Sequence, residues 1–253
     1  MKTLSRWRRG AGLGAMLLLA AGLASPVRAE EALTPQQKSA VDQEIHDYIV
    51  AHPEVLLDAL KAAQQKSDQQ AAEDARQVIA ARRQELLADP DDLVGGNPKG
   101  DATIVEFFDY RCPYCKEVEP VLDALLLEDK KLRIVYKEFP ILGEASVFAS
   151  RAALAAKKQG KYAAFHRAMM AVKGNITDET VLKVASSVGL DTGKIKADMG
   201  APEIDRILKA NYALAEALRI DGTPGIIVGD TLIPGATDIA TLRKDIAAAR
   251  KGS

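Results

Sequence analysis

The sequence has 253 residues, 47% hydrophobic and 27% charged, a globular balance that excludes wholesale disorder and a polytopic membrane protein. The formal net charge of −1 conceals an asymmetry: the first 29 residues carry Lys2, Arg6, Arg8, Arg9 and Arg28 and no acid, so the remainder is net acidic. An acidic body argues against a nucleic-acid partner, because that recognition favours basic patches.

The basic start precedes Ala11–Ala24 (AGLGAMLLLAAGLA), an apolar run too short to span a bilayer comfortably. Val27-Arg28-Ala29 then offers small or apolar residues at the two positions a signal peptidase reads. Residues 1–29 are expected to be a secretory signal peptide, cut after Ala29. The small residues that end the run disfavour an uncleaved anchor, and Gly10-Ala11-Gly12, directly after Arg8-Arg9, lacks the apolar pattern of twin-arginine export. A soluble mature protein in an oxidising compartment, the periplasm of a Gram-negative cell, is the expectation.

Residues 30–89 read as a helical extension. Thr34-Pro35-Gln36-Gln37 is a capping box with proline in first position. Val41, Ile45, Tyr48 and Ile49 make an apolar stripe, His52-Pro53 breaks the helix, and a second helix is predicted from Pro53 to about Ala88. Leu56, Leu57, Leu60 and Ala63 form an apolar patch, but Gln64–Asp74 (QQKSDQQAAED) is polar almost all round. A helix apolar only near its start needs a partner there. Folding back onto its own chain would satisfy it; an oligomerisation stalk satisfies it while leaving the polar stretch as a spacer, and a homo-oligomer is expected.

Ala102–Tyr110 (ATIVEFFDY) reads as a strand with apolar residues on both faces, Val105 and Phe107 on one, Ile104, Glu106 and Phe108 on the other. The two cysteines of the chain come next, in Cys112-Pro113-Tyr114-Cys115. A zinc site needs about four ligands, and the three histidines are scattered. A structural bond across two residues closes so small a loop that it removes little unfolded-state entropy. A redox-active dithiol remains, and neither cofactor nor metal is expected. Val118, Val121, Leu122, Leu125 and Leu126 then give a helical pattern, with Pro113 in its first turn. Cys112 thus sits at a helix N-terminus, where exposed N–H groups stabilise a thiolate. Cys115, one turn later, is placed to attack a mixed disulfide on Cys112. Glu106 is an acid in an apolar strand: either a buried carboxyl that handles the proton of Cys115, or the partner of Lys137 on the strand predicted at Leu132–Phe139.

From Pro140 to Ile220 the pattern is wholly helical, with helices at Ser146–Gln159, Lys161–Val172, Asp178–Val188, Asp191–Met199 and Pro202–Leu218. His166 reads as a packed helix residue. After Asp221-Gly222-Thr223-Pro224-Gly225 come strands Ile226–Val228 and Thr231–Ile233 as a hairpin, and a last helix near Ile239–Arg250.

Phe107–Cys115 resembles the active-site segment of the DsbA superfamily of thiol–disulfide oxidoreductases, and Asp221–Gly225 its cis-proline loop. The resemblance implies an α/β fold, a thioredoxin fold over residues 90–253 with a helical domain inserted at about 141–220. It implies Cys112 as nucleophile, Cys115 as resolving thiol, Pro113 and Tyr114 as tuning residues, and a buried glutamate at the spacing of Glu106. Thr223 and Pro224 would form a cis peptide that receives an extended client. Where DsbA has histidine this chain has Tyr114, which implies a less oxidising dithiol.

Within that superfamily Tyr48–Leu56, Phe139–Gly143 and Thr223 resemble the suppressor-of-copper-sensitivity C (ScsC) proteins, some of which are trimeric isomerases. The implied function is disulfide isomerase or reductase on misfolded or unfolded exported proteins, kept reduced by a membrane thiol reductase of the DsbD or ScsB type. The alternatives are a DsbA-like oxidase recharged by a DsbB-type enzyme, and a copper-stress chaperone or copper-binding protein.

Overall fold

The computed structural model of the chain describes residues 33–251, and the expected signal peptide lies outside them. The chain divides into two units, Met1–Ala59 and Leu60–Ser253.

In the first unit, helix α1 (Pro35–Ala51) opens on the expected capping box, with Gln37 N–H donating to Thr34 Oγ1 and Thr34 N–H to Gln37 Oε1. Two N–H groups without intrahelical partners are satisfied reciprocally. The helix ends at His52, and α2 (Glu54–Ala81) begins beyond Pro53. No residue of α1 is buried: Val41, Ile45, Tyr48 and Val50 are exposed, as are Val55, Leu56 and Leu57 at the start of α2.

Past its polar stretch α2 buries Ala75 and Ile79. The expected continuation to about Ala88 is interrupted at Arg82, whose φ and ψ of −106° and 17° leave the helical region, and a short α3 (Arg83–Leu87) buries Leu86. The chain continues through β1 (Leu93–Gly96), β2 (Ala102–Phe108), α4 (Pro113–Glu128) and β3 (Leu132–Glu138). The helices α5 (Glu144–Lys158), α6 (Tyr162–Met170), α7 (Asp178–Ser187), α8 (Thr192–Asp198) and α9 (Pro202–Ala217) come after it. The chain closes with β4 (Gly225–Val228), β5 (Thr231–Pro234) and α10 (Ile239–Lys251). This is the α/β thioredoxin fold with a helical insertion.

The sheet order is β1-β3-β2-β4-β5, with β2 and β3 parallel and the other pairs antiparallel. β1 (LVGG) gives no strand signal in sequence, because two of its four residues are glycine. Those glycines allow close packing: a Cβ on Gly95 would stand 3.1 Å from the Tyr136 ring, and Gly96 has a φ of +70° that disfavours other residues.

Each face of β2 has its own core. Ile104 and Phe108 pack with α4, α10 and the inserted helices through Val118, Leu122, Phe165, Met169 and Leu242. Val105 and Phe107 pack with Ile79 of α2, Leu86 of α3 and Leu214 and Leu218 of α9. The end of the 30–89 segment therefore covers one face of the sheet.

Candidate active site

The central strand β2 delivers the chain to Asp109–Arg111, where Cys112 N–H donates to Asp109 O, and Cys112 caps α4 with an extended backbone (φ −72°, ψ 119°). Pro113 takes the first helical position, where its lack of an N–H costs nothing. Tyr114 points outward, 57% exposed, while Cys112 and Cys115 are 4% and 0% exposed. Both cysteines are free thiols.

Thr223–Pro224 is a cis peptide, and the Cys112 thiol donates to the Thr223 carbonyl at 3.1 Å. Once ionised, the sulfur draws donors instead. The Cys115 thiol is the strongest, followed by the Thr223 side chain and the N–H groups of Cys115 and Tyr114; these outweigh burial and lower the Cys112 pKa to about 6. Cys115 is pushed the other way, by its bond to Cys112, by burial and by the charge of Glu106. The motif thus holds one thiol that ionises readily and one that keeps its proton, the asymmetry that thiol–disulfide exchange requires.

Glu106 is fully buried beneath the pair. Burial, then the charges of Glu119 and Cys112, raise its pKa well above the carboxylate range. Lys137 is not its partner. In the register Glu106 stands opposite Tyr136, and Lys137 opposite Phe107, so the base points to the other face. There it meets Asp92 at 2.6 Å and the Glu85 carbonyl at 2.6 Å. A single-residue offset on a pleated strand separates the acid from the base.

The structure also brings together residues that the sequence left apart. Glu138, at the end of β3, is fully buried and accepts from Tyr110 Oη (3.1 Å), Tyr162 Oη (2.7 Å) and Ser150 Oγ (2.6 Å). Burial dominates these bonds and raises its pKa to about 8. His166 is buried as expected, but its Nδ1 lies 3.1 Å from Tyr110 Oη. Glu138 had a signal in sequence, an acid ending an apolar strand; its partners, 12 to 28 residues away, had none. His46 and His52 are exposed on the first unit.

The DSBA-like thioredoxin domain family matches residues 103–247, and the family described as the copper resistance protein ScsC N-terminal domain matches residues 37–72. A thioredoxin-like oxidoreductase from Silicibacter pomeroyi DSS-3 is 47% identical, covers 68% of this chain and 99% of its own, and has a TM-score of 0.66. Proteus mirabilis ScsC in a transitional conformation is 28% identical over 88% of this chain and 99% of that one, with a TM-score of 0.64. A periplasmic thioredoxin-like protein from Salmonella enterica serovar Typhimurium is 28% identical over 67% and 95%, with a TM-score of 0.60. Among curated proteins, the Na(+)/H(+) antiporter NhaA 3 of Salinispora tropica is 28% identical over 157 residues, 61% of this chain. The chain spans about a quarter (24%) of that relative's length. With a family match over more than half its residues, around the CPYC motif and its cis-proline, the chain belongs to the DSBA-like thioredoxin-domain family of thiol–disulfide oxidoreductases.

Proposed function

We propose that the protein is a periplasmic disulfide isomerase or reductase that acts on misfolded exported proteins as a homo-oligomer. The observation that carries this reading is the first unit: α1 buries nothing and leaves Val41, Ile45 and Tyr48 exposed, over residues that match an ScsC N-terminal domain. An apolar helical face of this kind belongs against another surface, and a second copy of the same helix supplies one. Several dithiols on one assembly can then meet one client. Cys112 attacks the client disulfide and Cys115 releases it; Pro113 and Tyr114 shape the pair, Thr223 and Pro224 receive the client strand, and Glu106 takes the Cys115 proton. A membrane thiol reductase of the DsbD or ScsB type would keep the pair reduced. The leader expected at 1–29 and the periplasmic Salmonella relative support the location.

Deleting Glu30–Ala63 is expected to give a monomer by light scattering that still reduces small disulfides but loses most refolding activity on scrambled-disulfide ribonuclease. Undiminished isomerisation by the monomer, or a monomeric full-length protein, would overturn the reading. The lowered pKa of Cys112 favours a second one, a DsbA-like oxidase, because stabilising the reduced form makes a dithiol more oxidising. Trapping the thiols by alkylation in intact cells separates the two: mostly reduced for the isomerase, mostly oxidised for the oxidase.

A further inference from the structure

Two hollows of the second unit meet on the side of the β4–β5 hairpin that faces α9. The smaller, of about 110 Å³, has Asp221 and Thr223 of the cis-proline loop in its wall. The larger, of about 330 Å³, lies between α2 and β5 and is lined by Ala71, Ala72 and Ala75 of α2 and by Ala217 and Leu218 at the end of α9. Arg219, Leu232 and Pro234 line both, so the two hollows form one groove. β5 is the edge of the sheet, and its pleat turns Leu232 and Pro234, opposite Ile227 and Gly225, to the same face. The groove begins at Thr223, whose carbonyl accepts from the Cys112 thiol. While Cys112 keeps its proton, Thr223 Oγ1 is buried without a hydrogen-bond partner, a costly state for a hydroxyl. In a mixed disulfide the Cys112 sulfur carries no charge to attract that hydroxyl, so it is left for the client.

Arg219 stands where the two hollows join. It follows the end of α9, with Arg219 N–H donating to Glu216 O and Ile220 N–H to Ala215 O, the pairing of a Schellman motif. The motif places this residue in the left-handed region, with a φ of 56°, where glycine is unstrained and a side chain is not. An arginine occupies the position against that preference. Its side chain is 74% exposed and meets Asp74 of α2 at 3.2 Å. An exposed pair adds little to stability, so the fold alone does not account for the arginine. Around the groove Asp68, Asp74 and Asp221 outnumber it, and the lining is net acidic.

We infer that this groove receives the client chain beyond the cis-proline, and that Arg219 is a specificity-determining residue within it. The occupant is an extended client segment: an apolar side chain fills the hollow between α2 and β5, and a basic side chain meets Asp68 and Asp74. The inference rests on the thiol-exchange reading, in which Thr223 and Pro224 receive the client. Continuity with Thr223 gives the groove its place in the reaction, its alanine and leucine lining selects apolar side chains, and its net charge selects a cation. A folded protein buries its apolar side chains, whereas an unfolded one presents them in extended chain; the groove therefore favours clients that still need rearrangement. The α2 wall lies upstream of the DSBA-like match at 103–247, so the end of the helical extension adds a binding surface to the catalytic fold.

The test uses the full-length reduced protein and three disulfides. One is glutathione disulfide, whose arms are short. The others are extended synthetic peptides, each with a single cysteine joined to glutathione and flanked on both sides by leucine and either lysine or glutamate. The unmodified protein should reduce the lysine peptide faster than the glutamate peptide. Ala72→Arg, at an exposed position of α2, puts a long cation into the hollow. It should lower the ratio of the lysine-peptide rate constant to that of glutathione disulfide by about tenfold, the loss expected when one apolar side chain is left in water. Arg219→Gly should strengthen the preference for lysine over glutamate without lowering the thermal midpoint, because glycine suits the left-handed position. An arginine with a purely structural role would move the midpoint and leave the preference alone. Ratios that match the unmodified protein in both variants would overturn the inference. So would a change of mass in light scattering for Ala72→Arg at unaltered ratios, which would mark the hollow as the seat of a second copy of this chain. Failure of the unmodified protein to reduce any of the three disulfides would instead sink the thiol-exchange reading itself.

Discussion

Helices α1 and α4 carry the same kind of sequence pattern and meet opposite fates. In α4, Val118, Leu122 and Leu125 recur at three- and four-residue spacing and are buried against the sheet. In α1, Val41, Ile45 and Tyr48 recur at the same spacing and stand open. Periodicity says that a helix has an apolar face; it does not say which surface covers it. For α4 the cover is local, because β2 enters directly before it. For α1, whose chain neighbour is a helix with a long polar stretch, the described residues of the first unit offer no such surface.

The comparison can be broken at either end. The largest effect belongs to the second unit: Cys112→Ser should reduce disulfide exchange to background, measured by insulin reduction, and leave the mass of the assembly unchanged. Next, Lys137→Met strands Asp92 in the core and should destabilise the second unit by about 3–5 kcal/mol in urea unfolding, the range for breaking a buried pair. The double variant with Asp92→Asn should recover much of that loss.

Cys115→Ala removes the leading cause of the low Cys112 pKa, so the midpoint of thiolate absorbance should move upward from about 6. The sign carries over to stability. Because the folded pKa is lowered, Cys112 stabilises the reduced fold fully above the unfolded value of roughly 8.5, and that contribution is lost as pH falls through about 6. In the Cys115→Ala variant the contribution should be smaller and its loss complete at higher pH. The smallest effect is Ile45→Asp, expected to shift thermal unfolding of the second unit by less than about 0.5 kcal/mol, as for exposed positions generally. The same substitution should reduce the proposed homo-oligomer to monomers, which light scattering would register.

How far each part was legible depends on the range of the forces involved. The capping box at Thr34, the break at His52-Pro53, the two-faced strand β2 and the placement of Cys112 rest on local stereochemistry, and a short window of sequence holds all of it. The split between Glu106 and Lys137 required the register of β2 against β3, which depends on which faces are buried. The Glu138 cluster joins β3 to α5 and α6, and no local pattern announces that Ser150, Tyr162 and Tyr110 converge there. β1 escapes a sequence reading because its two glycines, which admit Tyr136 and Leu126, also erase its strand propensity.

The burial of Ile79 and Leu86 has a consequence for the smallest fragment that can fold. The family match begins at residue 103, yet these two side chains, 2% and 1% exposed, complete the core on Val105 and Phe107. Arg133 and Lys137 donate to the Leu87 and Glu85 carbonyls, so the end of α3 is held by polar bonds as well. A polypeptide begun near residue 90 would lack both side chains at once. At about 2–5 kcal/mol for each large aliphatic lost from a core, that deficit is comparable to the whole stability of a typical domain. The autonomous folding unit must therefore begin upstream of Ile79, and limited proteolysis should leave a resistant core that retains Ile79 and Leu86.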